Sequence, residues 1–422
     1  MNVEKYIANR ITNSDGHQSS ISKPIVKIGI LGIILGLSVM LLTISIVLGF
    51  KKEIIRKITG LSADISIGNV NYGSNGEQMP IKISKDSLDE FKKLPGIKHI
   101  QAIAMKSGIV KTKTENEGVL IKGVDAQYDF DFLKSYLQSG KLPELNSKEM
   151  TKDILISENL ASKLDLKLNE KFLVYFVVQH EIYDSVEKTT YVKFEPRSRD
   201  FKICGIYKTS FSDFDNTLTF ADLRQIQRLN YWDSSMVGNY EVRVSDFNKL
   251  QESLNELNGA LGLNYQLVSV KEQFSNIFIW LDKLDINGVI IIVLMILVAV
   301  INMITALLIL ILERTNMVGM LKSLGMSNVN VRKIFFYVSV KLLSRGLIWG
   351  NIVGIGLCLI QYYFGLVKLD SATYYVDKVA IELNWLFYLL LNLGTASVCI
   401  AMLFLPTLIL TKITPIKTLR FD

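Results

Sequence analysis

The stretch IGILGIILGLSVMLLTISIVLGF, residues 28–50, decides the fold, because none of its positions carries a charge. A helix advances about 1.5 Å per residue, so about 20 apolar residues cross roughly 30 Å of hydrocarbon. Pro24 introduces the run and Lys51-Lys52 closes it. It is too long and too late for the apolar region of a signal peptide, and no small-residue cleavage site follows. Three more runs repeat the pattern: Ile286–Leu312; Gly346–Val367, on a helix expected to begin near Val331; and Leu383–Thr411, which carries Pro406. Buried helices of soluble proteins are shorter and apolar on one face. The expectation is a membrane α-helical protein with four transmembrane helices.

The totals agree with segregation into two kinds of chain. The 422 residues are 49% hydrophobic yet 21% charged, and mean hydropathy is +0.29. Apolar spans beside a polar domain with its own core reconcile these values. The net charge of +7 comes from Lys and Arg flanking apolar runs. That placement suits membrane lipid headgroups and topology, and no nucleic acid partner is expected. Cys204, Cys358 and Cys399, and His17, His99 and His180, have neither disulfide nor metal-site spacing. No metal is expected.

Basic residues in short loops set orientation. The 313–345 loop holds Arg314, Lys322, Arg332, Lys333, Lys341 and Arg345 against Glu313, and the tail holds Lys412, Lys417 and Arg420. Both termini are expected in the cytoplasm and residues 51–278 outside it. Lys51, Lys52, Arg56 and Lys57 dissent, but long domains translocate largely regardless of such charge. The expected plan is an interfacial helix and linker over 1–24, spans at 25–50, 286–312, 331–367 and 383–411, a coupling segment at 313–330, an outer loop at 368–382 and a tail at 412–422. Val3, Ile7 and Ile11 fall at i, i+4 and i+8, which suits a helix lying on the inner leaflet.

Residues 51–278 read as a large α+β domain. Strands are expected at 65–67, 98–104, 107–113, 118–124, 240–244 and 265–270, with helices at 84–94 and 247–257. The middle, 141–235, reads as an inserted subdomain with strands at 154–157, 172–178 and 201–207. The polar stretch Gln179–Asp200 between the last two suggests a projecting hairpin, or else a plain surface loop.

No phosphate-cradling loop, nucleophile elbow or zinc-protease motif occurs, and the apolar runs contain no carboxylate. No catalytic residues are assigned. The densest pattern is cytoplasmic: Met317, Met320, Leu321 and Leu324 form an apolar helical face, with Lys322 beside it. Gly325 can stop that helix and Ser327 or Asn328 can cap the next. Such a helix either rests on lipid or sits in the groove of a soluble partner.

These residues resemble a known family. Glu313-Arg314, followed by Val318-Gly-Met-Leu-Lys-Ser-Leu-Gly325, resembles the E-R-x-x-x-I-G-x-L-K-A-L-G motif of FtsX-like, MacB-type (type VII) ABC permeases. Leu48-Gly49-Phe50 resembles the Asn-Gly-Phe exit of the first span in the lipoprotein-releasing (LolC/LolE) members, with Leu replacing Asn. Phe201–Tyr207, Tyr374–Val379 and the ending Pro415–Arg420 are similar to the corresponding parts of that family. Within Gln179–Asp200 the match is confined to Pro196, Arg197 and Arg199.

The resemblance implies a mechanotransmission system. Two permease chains, identical or different, would pair, and an ABC ATPase dimer would dock on Glu313, Arg314, Met317, Gly319, Met320, Leu321, Lys322, Leu324 and Gly325. ATP and Mg would belong to that partner, with no cofactor on this chain. Lipoprotein cargo would leave the bacterial inner membrane beside Ile44, Val47, Leu48, Phe278 and Trp280, unless these merely touch lipid. A hairpin bearing Gln179, Pro196, Arg197 and Arg199 would hand it to a periplasmic lipoprotein carrier. A MacB-like efflux permease for drugs, peptides or toxins and an FtsX-like regulator of a cell-wall hydrolase are the alternatives.

Overall fold

A computed structural model describes residues 3–13, 22–71, 79–112, 115–146, 149–184, 189–262, 264–403 and 406; for 12–13, 22–26 and 179–192 the description covers the backbone alone. The linker over 14–21 and the tail at 412–422 lie outside these residues. Contacts divide the chain into a membrane unit (Met1–Lys52, Trp280–Lys368, Lys378–Asp422) and a globular unit (Glu53–Ile279, Leu369–Asp377).

Among the described residues, four helices are long and apolar enough to cross a membrane. The first, Ser22–Leu61, and the second, Ser275–Glu313, have 40 and 39 residues. Each is about 60 Å long, twice the hydrocarbon thickness. Lys51-Lys52 therefore does not end the first helix, and Asp282, Lys283 and Asp285 do not precede the second but lie within it. Lys is a good helix former and Asp costs a helix interior well under 1 kcal/mol, so these charges bound the apolar span without bounding the helix. The third, Asn328–Phe364, starts three residues before the expected Val331, where the Ser327 hydroxyl accepts from Asn330 N at 3.3 Å. The fourth is Trp385–Met402, capped by Asn384.

Glycine sets how closely these helices approach. A Cβ on Gly346, Gly350 or Gly354 of the third helix would lie 2.7, 3.0 or 2.8 Å from Ile33, Leu37 or Leu41 of the first. In lipid, where apolar side chains gain little by leaving their surroundings, such close backbone packing drives association. Ser38 Oγ donates to Gly350 O at 3.0 Å across the same seam. The second helix seats Asn302 and Ala306 against Gly32 and Gly29. The amides of Asn351 and Asn392 exchange two hydrogen bonds, 2.7 and 2.9 Å, joining the third and fourth helices. The N-terminal helix, Val3–Asn13, departs from expectation. Ile7, Ala8 and Ile11 pack into the cluster containing Val331, Ile334 and Phe335, and Val3 alone of the expected stripe is exposed.

Among the described residues the globular unit has ten strands: β1 Ile65–Asn69, β2 Ile97–Lys111, β3 Asn116–Val124, β4 Leu137–Gly140, β5 Asp153–Ser157, β6 Lys171–Asp184, β7 Thr189–Tyr207, β8 Leu218–Asp222, β9 Asn239–Val244 and β10 Tyr265–Ser269. They form one sheet in the order β10-β1-β9-β2-β3-β8-β5-β7-β4, with β6 pairing β2 and β7. Pairs β3/β8 and β5/β7 are parallel. Residues 141–235 are therefore no separate subdomain, since β8 hydrogen-bonds to β3 and carries the sheet outward through β5 and β7. The strands expected at 98–104 and 107–113 are one. Gly108 permits the continuity, because a Cβ there would lie 2.5 Å from Val174. Beneath the sheet, Leu61, Ile103, Val124, Leu155, Tyr207 and Phe220 form one apolar core.

Candidate functional site

The coupling segment folds as a short helix, Thr315–Ser323, separated from the second long helix by Arg314 alone. Its stop is local chemistry. Gly325 takes φ +91°, Gly325 N donates to Lys322 O and Met326 N donates to Leu321 O, both at 3.0 Å. This left-handed closure satisfies carbonyls the helix leaves open.

The expected apolar face divides in two. Val318 and Gly319 are buried, and Met317 and Leu321 pack beside Val318 onto the bundle cluster. Met320 is 53% exposed and Leu324 85% exposed, on the opposite side with Asn316 and Ser323. Residues 317, 320, 321 and 324 fall within about 100° of arc, but the bundle packs on Val318 and Gly319 beside that face, so it covers the Met317 and Leu321 edge and leaves the other open. Glu313, Arg314 and Lys322 are half-buried at the margins. Desolvation holds the Lys322 ammonium below its ordinary pKa.

The expected cleft residues separate as well. Ile44 packs against the cluster of Leu37, Met40, Leu41 and Tyr388, and Val47 approaches Gly288 of the second helix. Leu48 is half-buried. Trp280 meets Phe50 edge-on, with centroids 5.5 Å apart. Phe278 belongs to the globular unit, where it is 7% exposed and stacks on Phe247 at 6.1 Å, so little of its ring is open to cargo.

Residues 179–200 form the two arms of a hairpin. Strands β6 and β7 pair without interruption from Lys171↔Lys202 to Asp184↔Thr189. Gln179 opposes Phe194, and the tip, 185–188, lies outside the described residues. Because directly opposed residues share a face, Tyr175, Val177, Phe194 and Pro196 expose one apolar surface. On the other face Arg197 lies 4.3 Å from the Tyr231 ring centroid and 3.3 Å from Glu195. Burial, then Arg197 and Arg228, lower the pKa of Arg199.

Two arrangements escaped sequence reading. Two of the four dissenting cations are neutralised within the membrane unit: Lys51 Nζ lies 2.5 Å from Asp285 and 3.4 Å from Asp282, and Lys52 Nζ lies 2.7 Å from Glu382. In the globular unit the last carbonyls of the first long helix are capped by cations from the sheet. Lys122 Nζ donates to Leu61 O at 2.8 Å, and Arg243 donates to Thr59 O and Gly60 O at 2.8 and 3.2 Å. Buried Lys122 is balanced by Glu241 at 2.6 Å, which also accepts from Gln101 at 2.8 Å. The acids opposite these cations were visible as residues, but nothing local marked them as partners.

Four apolar helices, a short amphipathic helix beside the second of them and a large α+β domain define a polytopic permease subunit. The MacB-like periplasmic core domain matches residues 28–259 and the FtsX-like permease C-terminal domain matches residues 289–415. The chain belongs to the FtsX-like, MacB-type family of ABC transporter permeases. It is therefore a multi-pass membrane protein with a periplasmic domain, the transmembrane subunit that works with an ATPase partner and is not itself catalytic. It is 20% identical over 403 residues to the lipoprotein-releasing system transmembrane protein LolC of Xylella fastidiosa, covering 93% of each chain. It is likewise 20% identical over 404 residues to LolE of Haemophilus influenzae, covering 94% of each. A crystal structure of the periplasmic region of MacB from Actinobacillus actinomycetemcomitans aligns with 53% of this chain and 97% of that one, at 17% identity and TM-score 0.33.

Proposed function

We propose that this chain is the membrane subunit of an ATP-driven permease that releases lipoproteins from the inner membrane to a periplasmic carrier. The observation that carries this reading is the uninterrupted β6–β7 hairpin, an arm with an exposed apolar face of the kind a carrier could grip. Similarity to LolC and LolE over nearly the whole chain adds support. In this mechanism an ATPase dimer docks on the outward edge of the Thr315–Ser323 helix, with Met320 and Leu324 as its apolar contacts. ATP and Mg are bound by that dimer, a second permease chain completes the assembly, and both termini face the cytoplasm. The work is substantial: at about 0.8 kcal/mol per buried CH₂, one acyl chain of about fifteen such groups costs about 12 kcal/mol to extract. Ile44, Val47, Leu48 and Trp280 remain the residues proposed to meet that chain.

Depletion of the protein in its host, followed by membrane fractionation, tests the proposal. Lipoproteins should accumulate in the inner membrane; undiminished delivery to the outer membrane would overturn it and leave family membership intact.

A further inference from the structure

The segment joining the third and fourth long helices is held more firmly than a connection requires. At its base, within the membrane unit, Lys368 and Lys378 form an antiparallel bridge, and Val379 N donates to Val367 O at 3.1 Å. Gln361 of the third helix, 8% exposed, ties both strands of this base to itself. Its Nε2 donates to Val367 O at 3.2 Å and to Val379 O at 3.1 Å, while its Oε1 accepts from Val367 N at 2.9 Å. The pairing continues as Leu369 N donates to Asp377 O at 2.9 Å. The connection is therefore a short hairpin.

Its tip, Leu369–Asp377, belongs to the globular unit and is fastened there four times. The Tyr375 ring stacks on Phe211, with centroids 4.6 Å apart and planes at 21°. Ser210 Oγ donates to Asp377 Oδ2, and Ser212 Oγ donates to Ser371 O at 3.3 Å. Lys57, only 3% exposed, donates from Nζ to Tyr375 O at 3.0 Å. Ser210 and Tyr375, on the two sides of this contact, take φ +60° and +61°. Side chains disfavour that left-handed backbone, and it persists where the surroundings over-determine it. Buried Asp215 does so for Ser210: it accepts from Ser210 N at 2.8 Å, Thr209 N at 3.0 Å and Thr209 Oγ1 at 2.6 Å. Burying a lysine and an aspartate is costly, and a segment that merely joins two helices gains nothing from it.

We infer that this hairpin is a strut, carrying ATP-driven movement of the third and fourth helices to the globular unit. The first and second helices run unbroken into that unit, so the strut is a further link beside them. Displacement passes through packed and hydrogen-bonded elements, whereas slack chain absorbs it. Here the base follows Gln361, and the tip carries Phe211, Ser210 and Lys57 with it. Tyr375, Ser210 and Gln361 are thus positioning residues. The inference rests on the ATPase partner that the family supplies and does not depend on lipoproteins being the cargo.

Hydrogen–deuterium exchange on the full chain with its co-purified ATPase in nanodiscs tests it, without nucleotide and with ATP plus vanadate, no cargo being added. In the native complex, trapped nucleotide should change exchange in the strands of the globular unit. Tyr375→Gly keeps the left-handed backbone and removes the stacked ring. It should reduce that change at least fivefold while trapping the same amount of nucleotide. Ser210→Gly, which removes the hydroxyl bonded to Asp377, should reduce it several-fold. An undiminished change in Tyr375→Gly would overturn the strut, since movement then passes through the first and second helices alone. No nucleotide-dependent change in the native globular unit would overturn it as well. Raised exchange throughout the sheet of Tyr375→Gly before nucleotide is added would mark the contact as structural and equally reject the strut. Should Tyr375→Gly fail to fold, Ser210→Gly decides by the same measure.

Discussion

Leu321, in the last turn of the short helix, and Leu324, its C-cap, lie three residues apart and have opposite surroundings. Leu321 packs on the bundle cluster, whereas Leu324 is 85% exposed. Leu324→Asp should therefore abolish co-purification of the ATPase while leaving insertion and thermal unfolding unchanged. Leu321→Asp should lower the unfolding temperature as well, because it buries a charge against apolar side chains. Gly325 supplies a third contrast. Nothing lies within 4 Å of a Cβ placed there, so Gly325→Ala meets only the strain of φ +91°, about 1 kcal/mol. Gly325→Pro cannot adopt that angle and should lose ATPase association. Retention of the ATPase by Leu324→Asp and Gly325→Pro alike would count against the docking edge. The motif was legible in the residues; which edge of it faces outward was not, because each residue's neighbours come from the distant stretch Val331–Phe335.

Among the elements, the third helix tests the glycine seam. Gly346→Val places a branched side chain where Ile33 already leaves a Cβ only 2.7 Å, so the first and third helices must separate. A large fall in detergent unfolding temperature is expected. Gly356→Val, with nothing within 4 Å, should be nearly neutral and serves as the control. In the globular unit, Lys122→Met leaves Glu241 as a buried charge that keeps the hydrogen bond from Gln101, and frees the Leu61 carbonyl. Breaking one side of such a pair costs about 3–5 kcal/mol. Denaturant unfolding should report a loss of that order, with partial recovery in Lys122→Met/Glu241→Gln; a loss below about 1 kcal/mol would show the pair to be incidental.

For the whole molecule the testable property is topology. The cations after the first span dissented when counted as free charge, but Lys51 and Lys52 are paired with Asp282, Asp285 and Glu382. That pairing removes their weight as a signal for a cytoplasmic loop. A cysteine at Leu324 should react with a membrane-impermeant maleimide only after cells are opened, whereas one at Thr373 should react in intact spheroplasts. Native thiols should give little background: Cys204, Cys358 and Cys399 are buried, and burial with nearby Asp153 pushes the Cys204 thiol up to about 12. Labelling of Leu324→Cys in intact spheroplasts would reverse the proposed orientation.

Residues 28–50 and the three runs like them determined by themselves that this chain has four spans. Hydropathy acts over one continuous segment, and a segment that apolar has few alternatives. The Glu313–Gly325 motif was equally local. Tertiary structure alone decided that the helices outrun their apolar spans, that residues 141–235 extend the main sheet, and that Phe278 stacks on Phe247. It also paired Lys122 with Glu241, whose alternatives along the chain were many. Such choices rest on which distant surfaces meet, and a side chain's own sequence neighbourhood holds no record of that.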